Sequence, residues 1–226
     1  MNQTVHKLTV PDESARRLPA HELIYRQLRN QVLFGDLAPG QGVTIQGLID
    51  SLGAGMTPVR EAIRRLIAEG ALEFQGNRRV SVPVLTAENI SELILARQWL
   101  DPHLTLRATE RATLQDLDDL THVDEDLDAA IRTGDLRQYL ELNYRFHKHI
   151  YSIAQAPILT DMADGLWLRF GPSLRVVCGR LGTQNLPDKH KEILAAMHAR
   201  DAEAAARAIR EDVIQGMEQV RQALEI

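Results

Sequence analysis

Fifteen residues, Met56 to Gly70, constrain this chain more than any other feature. In Met56-Thr57-Pro58-Val59-Arg60-Glu61-Ala62-Ile63-Arg64-Arg65-Leu66-Ile67-Ala68-Glu69-Gly70 the apolar residues Ile63, Leu66 and Ile67 recur at helical spacing, and Gly70 is a stop signal. Thr57 is expected to cap this helix, with Pro58 at its first position, where a missing N–H costs nothing. A two-turn helix precedes it, capped by Thr44, carrying Ile45, Leu48, Ile49 and Leu52, and broken by Gly53-Ala54-Gly55. An earlier helix from His21 places Leu23, Ile24, Leu28, Val32 and Leu33 on one stripe and stops at Gly35. The turn Leu37-Ala38-Pro39-Gly40 follows. Downstream, Leu72-Glu73-Phe74 and Val80-Ser81-Val82 alternate around Gln75-Gly76-Asn77-Arg78-Arg79, which predicts a short hairpin with a basic tip. A helix, a helix-turn-helix and a hairpin in this order predict a winged helix-turn-helix unit.

The chemistry of that unit points to DNA. Inward packing of the apolar positions leaves Thr57, Arg60 and Arg64 on outward faces near the helix start. Recognition helices meet base edges with their N-terminal residues, and arginine is the commonest bidentate reader of guanine. Thr57 and the helix N-terminal amides suit a phosphate. Arg78 and Arg79 at the hairpin tip are expected to reach adjacent phosphates or the minor groove.

Pro83 and an N-cap at Thr86 end this unit, and everything beyond reads as helix. The expected spans are 86–112, 114–132, 135–155, 158–180, 188–199 and 201–224. Short loops between them predict an antiparallel all-α bundle. The chain thus divides into a flexible N-terminal segment (1–18), a DNA-binding unit (19–84) and an effector-binding and dimerisation unit (85–226).

The net charge of −5 argues against a nucleic-acid partner until it is divided. Residues 1–84 carry 10 Lys and Arg against 8 Asp and Glu, whereas residues 85–226 carry 16 against 23. A slightly basic half joined to an acidic one is compatible with DNA on one side only. No apolar run reaches the length of a membrane span, and Met1 to Arg17 lacks a signal-peptide stretch. One cysteine, Cys178, excludes an internal disulfide framework and fits a reducing compartment, so a cytoplasmic location is expected.

Several motifs together resemble the GntR family of bacterial transcriptional regulators. They are Tyr25-x-x-Leu28, Gly35-x-Leu37-x-Pro39-Gly40, Thr57-Pro58-Val59-Arg60-Glu61-Ala62-Ile63-x-x-Leu66-x-x-Glu69-Gly70 and Asn77-Arg78. The helical remainder is similar to the FCD effector domain of the FadR-like subgroup. The resemblance implies a homodimer that binds a double-stranded operator, acts as a repressor and answers to a small metabolite; it does not imply an enzyme. It also marks departures. Where many members carry a base-contacting arginine before the Thr-Pro pair, this chain has Met56 after Gly55. A second such arginine, early in the preceding helix, falls at Gln46, and the glycine after the Asn-Arg of the wing is Arg79.

In the helical half, Asn143 and His147 stand four apart on an otherwise apolar stripe with Leu136, Tyr139, Leu140, Phe146 and Ile150. His190 lies in line with Ile193, Leu194 and Met197, and Asp212 with Ala205, Ala208 and Ile209. Four ligand-type residues on inward stripes would be satisfied together by one divalent cation; singly, each also reads as a hydrogen-bonded core residue. By resemblance, many FCD domains hold a metal through an Asp-x-x-x-His pair and two later histidines. Here Asn143 stands for the Asp, and Asp212 for the last His, so a mixed N/O site for zinc, nickel or manganese is implied. Arg97 shares the inward face of Ile90, Leu93, Ile94, Asp101 and Leu104 and needs a carboxylate partner. In resembling regulators an arginine there lines the effector pocket, which implies a carboxylate effector. Trp99 and Trp167 are read as packing residues.

Two other readings remain at this point: a helical metal-dependent enzyme using the His/Asn/Asp cluster, and a protein-interaction module in which the winged helix, with Gly55 and Met56 before its Thr-Pro pair, binds protein instead of DNA. Against the enzyme, the chain has no His-Glu-x-x-His, no Glu-x-x-His pair and no glycine-rich phosphate loop.

Overall fold

A computed structural model describes residues 19–76, 79–182 and 189–224. The expected flexible segment 1–18, Arg78 and most of the Gly182 to Pro187 breaker lie outside the described residues.

The N-terminal part runs α1 (Ala20–Leu33), β1 (Val43–Thr44), α2 (Ile45–Leu52), α3 (Met56–Ala68), β2 (Glu73–Phe74) and β3 (Arg79–Ser81). Leu28, Val32, Val59, Ile63 and Leu66 are buried, so α1 and α3 pack through the stripes seen in the sequence. Thr44 does cap α2, its Oγ1 accepting from the Gly47 N–H at 3.0 Å, and Gly53 closes that helix in the left-handed region at φ +58°. The hairpin forms with Phe74 opposite Val80 and Glu73 opposite Ser81. A third strand joins it: β1 pairs antiparallel with β3, Val43 opposite Val80, giving the order β1-β3-β2.

The start of α3 differs from expectation. Gly55, not Thr57, is the N-cap, and Pro58 falls third in the helix. The first intrahelical bond runs from the Val59 N–H to the Gly55 carbonyl at 3.4 Å, so position 58 still precedes the first residue that must donate. The helix therefore begins one position before Thr57 without penalty from the proline.

The C-terminal part is all helix: α4 (Ala87–Arg111), α5 (Leu114–Thr133), α6 (Leu136–Ile153), α7 (Pro157–Leu181), α8 (His190–His198) and α9 (Ala202–Leu224). Thr86 with Asn89, and Thr113 with Asp116, form reciprocal caps on α4 and α5. Pro102 lies within α4 without ending it, and Gly134 at φ +70° closes α5. Helix α4 packs along α9, α5 on α6 and α8 on α9 around Leu104, Leu120, Phe146, Ile150, Ile193 and Ile209. Cys178 is buried in the core. Among the described residues no helix is long and apolar enough to cross a membrane.

The two parts meet where α1 crosses α7. A Cβ on Gly171 would lie 2.4 Å from the Leu33 carbonyl oxygen, so only glycine permits this approach. Around it, the Arg169 Nε donates to the Glu69 carbonyl at 3.3 Å, and Arg137 pairs with Asp36. The Phe34 and Tyr144 rings meet edge to face at 5.9 Å.

Candidate nucleic-acid interface and metal centre

Helix α3 sorts its arginines by role. Arg65 turns back onto the fold: it pairs with Glu22 at 3.1 Å and Glu69 at 3.2 Å and lies over the Tyr25 ring at 3.5 Å. Arg60 and Arg64 are exposed, one helical turn apart, and neither forms an ion pair among the described residues. Thr57 and Met56 are exposed beside them. Gln46 is exposed on α2, where its amide donates to Asp50 at 2.9 Å. Arg79 is exposed at the start of β3. The positions expected to meet DNA that lie within the described residues are thus all at the surface. Those on α3, Met56, Thr57, Arg60 and Arg64, lie along one face over its first nine residues.

The inward residues of the helical half converge. His147 on α6, His190 on α8 and Asp212 on α9 each offer a ligand atom within 4.8 Å of the others. The His147 Nε2 lies 3.2 Å from the Asp212 Oδ2. The second Asp212 oxygen accepts from the Lys189 N–H at 3.0 Å, which fixes the carboxylate at the start of α8. The His190 ring stacks on Phe146 with 3.9 Å between centroids. Half-buried Asn143 lines the same cavity, of about 40 Å³, with Arg97, His147, Trp167 and Asp212.

Electrostatics favour a cation here. Burial drives the His147 pKa down and outweighs the pull of Asp212, so the ring is neutral and keeps a lone pair near pH 7. Burial alone would raise Asp212, but the His147 hydrogen bond, the neighbouring His190 and the Lys189 N–H prevail and hold it ionised, well below the usual carboxylate range. The His147 Nδ1 is buried without a hydrogen-bond partner among the described residues. Two donors on one tetrahedral ion, each about 2.1 Å from it, stand roughly 3.4 Å apart, close to the observed His147–Asp212 spacing. The donor set of His147, His190 and Asp212 therefore fits a divalent ion of the zinc class, and Asn143 lines the cavity beside it.

Arg97 is buried as expected, and its partner is Asp101, one turn along α4. Nη2 and Nε donate to Oδ2 at 2.7 and 3.0 Å. Its guanidinium also lies 4.7 Å from the Trp167 ring and 4.6 Å from Phe170. Burial works against the charge, but Asp101 and Tyr151 outweigh it and keep Arg97 protonated. The two tryptophans, read alike in sequence, part company. Trp167 is buried, donating to the Tyr151 hydroxyl at 3.2 Å, whereas Trp99 is 71% exposed on α4.

Sequence reasoning missed Asp124 on α5, which stands 3.3 Å from the His190 Nδ1. A signal existed: Asp124 sits among Leu117, Leu120, Val123 and Leu127, an acid on a core stripe. Burial raises its pKa, but His190 and Lys191 more than compensate and hold it below the ordinary carboxylate value.

Comparisons with known proteins agree with this geometry. The family described as bacterial regulatory proteins, gntR family, matches residues 20–82, and the FCD domain family matches residues 92–214. The chain is 31% identical over 191 residues to the HTH-type transcriptional regulator McbR of Escherichia coli strain K12, covering 83% of this chain and 86% of that one. It is 23% identical over 216 residues to the HTH-type transcriptional repressor RspR of the same organism, covering 95% of each. The solved structure of E. coli McbR/YncC superposes with a TM-score of 0.87 at 29% identity, covering 92% of this chain and 100% of that one. The matched relatives are named as regulators, not enzymes. With a helix-turn-helix that presents arginines outward and an FCD domain around an inward His/Asp cluster, this chain belongs to the GntR family of bacterial transcriptional regulators.

Proposed function

We propose that the chain is a cytoplasmic, homodimeric repressor. Its DNA-binding unit (19–84) reads an operator through Thr57, Arg60 and Arg64, with Gln46, Met56, Arg78 and Arg79 around them. Its helical unit (85–226) senses a small carboxylate at a divalent metal ion. The observation that carries this reading is the combination of one exposed arginine strip with one buried ligand set in the same chain.

The choice of a carboxylate rests on charge. Two neutral histidines and one carboxylate leave a divalent ion with net positive charge, and that ion would supply an open coordination position as well. Arg97 lines the same cavity, but Asp101 already balances its charge. An anion is thus the complement, and a cavity of about 40 Å³ suits a small one.

Two helix faces support the homodimer. Leu95 and Trp99 on α4, and Ile158 and Met162 on α7, are 57–76% exposed. Leu95, Trp99 and Met162 line one groove between α4 and α7, and a contiguous exposed apolar patch of this kind marks an interaction surface. A second copy there would pair two recognition helices, as half-site reading requires.

A route from cavity to DNA reader is also present. Trp167 lines the cavity and meets Tyr144 edge to face at 5.5 Å, and Tyr144 meets Phe34 at the end of α1. A ligand that moves Trp167 acts on α1, against which α3 packs.

The test is binding of the purified protein to its own upstream DNA across a salt series, with zinc added or removed and with a panel of small organic acids. Steeply salt-dependent binding, altered by an acid that also raises the melting temperature, supports the proposal. Salt-indifferent binding, or DNA affinity unmoved by every acid that binds, overturns it.

A further inference from the structure

We infer that Asp124 is a positioning residue for the metal centre, holding His190 by its Nδ1 so that Nε2 faces the ion. This rests on the proposed metal site and adds a residue to its outer shell.

Three contacts define the arrangement. The Asp124 Oδ1 lies 3.3 Å from the His190 Nδ1, an ion-pair approach outside hydrogen-bond geometry, its side chain 5% exposed and that of His190 1%. The other Asp124 oxygen lies 3.4 Å from the Lys191 Nζ, which also pairs with Asp128 at 2.9 Å. Phe146 stacks on the face of the imidazole, 13° from parallel, and fixes its plane. The carboxylate is thus held from α8, and the ring is held between α5 and α6.

The chemistry follows from tautomerism. A neutral imidazole has one N–H and one lone pair, and a carboxylate beside Nδ1 selects the proton there. The lone pair is then on Nε2, the nitrogen left for the cluster with His147 and Asp212. A carboxylate on the far nitrogen also makes the ring a stronger donor. Only one first-shell carboxylate is present here, because position 143 is Asn. Asp124 supplies a second negative charge one shell further out, through the ring.

The experiment is calorimetric titration of zinc into metal-stripped full-length protein, wild type against Asp124→Asn, Asp124→Ala and Asp128→Asn. Loss of an outer-shell carboxylate typically weakens metal binding about 10- to 100-fold. Both Asp124 variants are expected in that range. Asp128→Asn, which removes a partner of Lys191 but none of His190, is expected to match wild type. Adding Asn143→Asp to Asp124→Asn should recover much of the loss. Long-range proton–nitrogen NMR of the metal-free wild type adds a measurement that needs no variant, and His190 should carry its proton on Nδ1. Zinc affinities of the Asp124 variants within twofold of wild type, or a proton on His190 Nε2, overturn the inference while leaving the metal site standing. A wild type that takes up no zinc removes both.

Discussion

The His147 imidazole on α6 and the Asp212 carboxylate on α9 approach to 3.2 Å across the helical domain, joining residues sixty-five apart in the chain. Neither group needs the other to complete a secondary structure, and both are on inward faces. In the proposed metal centre both are ligands of one ion. His147→Ala removes a buried neutral nitrogen donor, and Asp212→Ala removes the single carboxylate of the cluster. Each is expected to bring zinc content, measured by elemental analysis after dialysis, below a tenth of wild type. Equal metal content in wild type and His147→Ala would exclude His147 as a ligand.

The arginines of α3 divide by contact, and their variants should divide the same way. Arg60→Ala removes an exposed side chain from the outward strip, so the fold should keep its melting temperature while operator affinity falls. A lost base-reading arginine costs about 1–3 kcal/mol, roughly 5- to 150-fold. Arg65→Ala instead breaks an ion pair and a ring contact with α1, at Glu22 and Tyr25, and an ion pair with Glu69 at the end of α3, so a lower melting temperature is the expected readout. Titration of fluorescent operator DNA together with a thermal melt separates the two. Undiminished specific binding by Arg60→Ala would remove it from the interface.

Much of this architecture is legible because its signals are local. The ends of α4 to α9 fall within two residues of the spans read from Thr86, Gly134-Asp135, Ala156-Pro157 and Asp201, all of which act on their own backbone. The inward placing of His147, His190 and Asp212 follows from helical period alone. Non-local facts were not legible. Strand β1 exists because Val43 finds Val80, thirty-seven residues on, and two residues carry no pattern. The start of α3 at Met56, capped by Gly55, depends on an αR-compatible proline in the first turn, which composition does not separate from a Thr57 cap. Asp101 already shared the inward face of Arg97 one turn along α4, whereas Asp124 became visible as a partner of His190 only once α5 and α8 were packed. Trp99 illustrates the opposite failure, since an aromatic on an amphipathic helix reads as core whether the face meets its own chain or another.

That exposed face leads to a prediction on assembly. Trp99→Glu places a charge in the middle of the α4/α7 patch without touching the cavity. Central aromatic residues of an interface are commonly worth 2 kcal/mol or more, so dimer dissociation should strengthen at least thirtyfold. Sedimentation at several concentrations reads this directly. A wild type that is monomeric at all concentrations, or a variant that associates like wild type, would place the interface elsewhere.

Cys178 provides a check on the core. Burial pushes its thiol up to about 12, so at pH 8 only roughly one molecule in ten thousand carries the reactive thiolate. The side chain is 2% exposed as well. Native protein should resist a thiol reagent for hours at pH 8 and react fully in denaturant. Rapid stoichiometric modification of the native chain would show that α7 opens at this point.

Coupling between the two halves can be tested at Tyr144, whose ring touches Trp167 on the cavity side and Phe34 on the DNA-binding side. Its hydroxyl donates to Asp164 at 3.0 Å, and Asp164 stands 3.8 Å from Arg29 of α1, so the polar edge reaches the same helix. Tyr144→Phe keeps both ring contacts and loses only the hydroxyl. Tyr144→Ala removes both contacts but leaves His147, His190 and Asp212 in place. Edge-to-face pairs contribute about 0.5–1.5 kcal/mol each beyond their burial, and couplings between sites are typically about 1–3 kcal/mol, so loss of both contacts is expected to remove most of the coupling carried by this route. The measured quantity is the ratio of operator affinities with and without the effector or zinc. That ratio should approach one in Tyr144→Ala and stay near wild type in Tyr144→Phe, while zinc affinity changes little in either. If Tyr144→Ala kept the full ratio, communication would have to run through another α1–α7 contact, and the Leu33–Gly171 backbone approach would be the next to test.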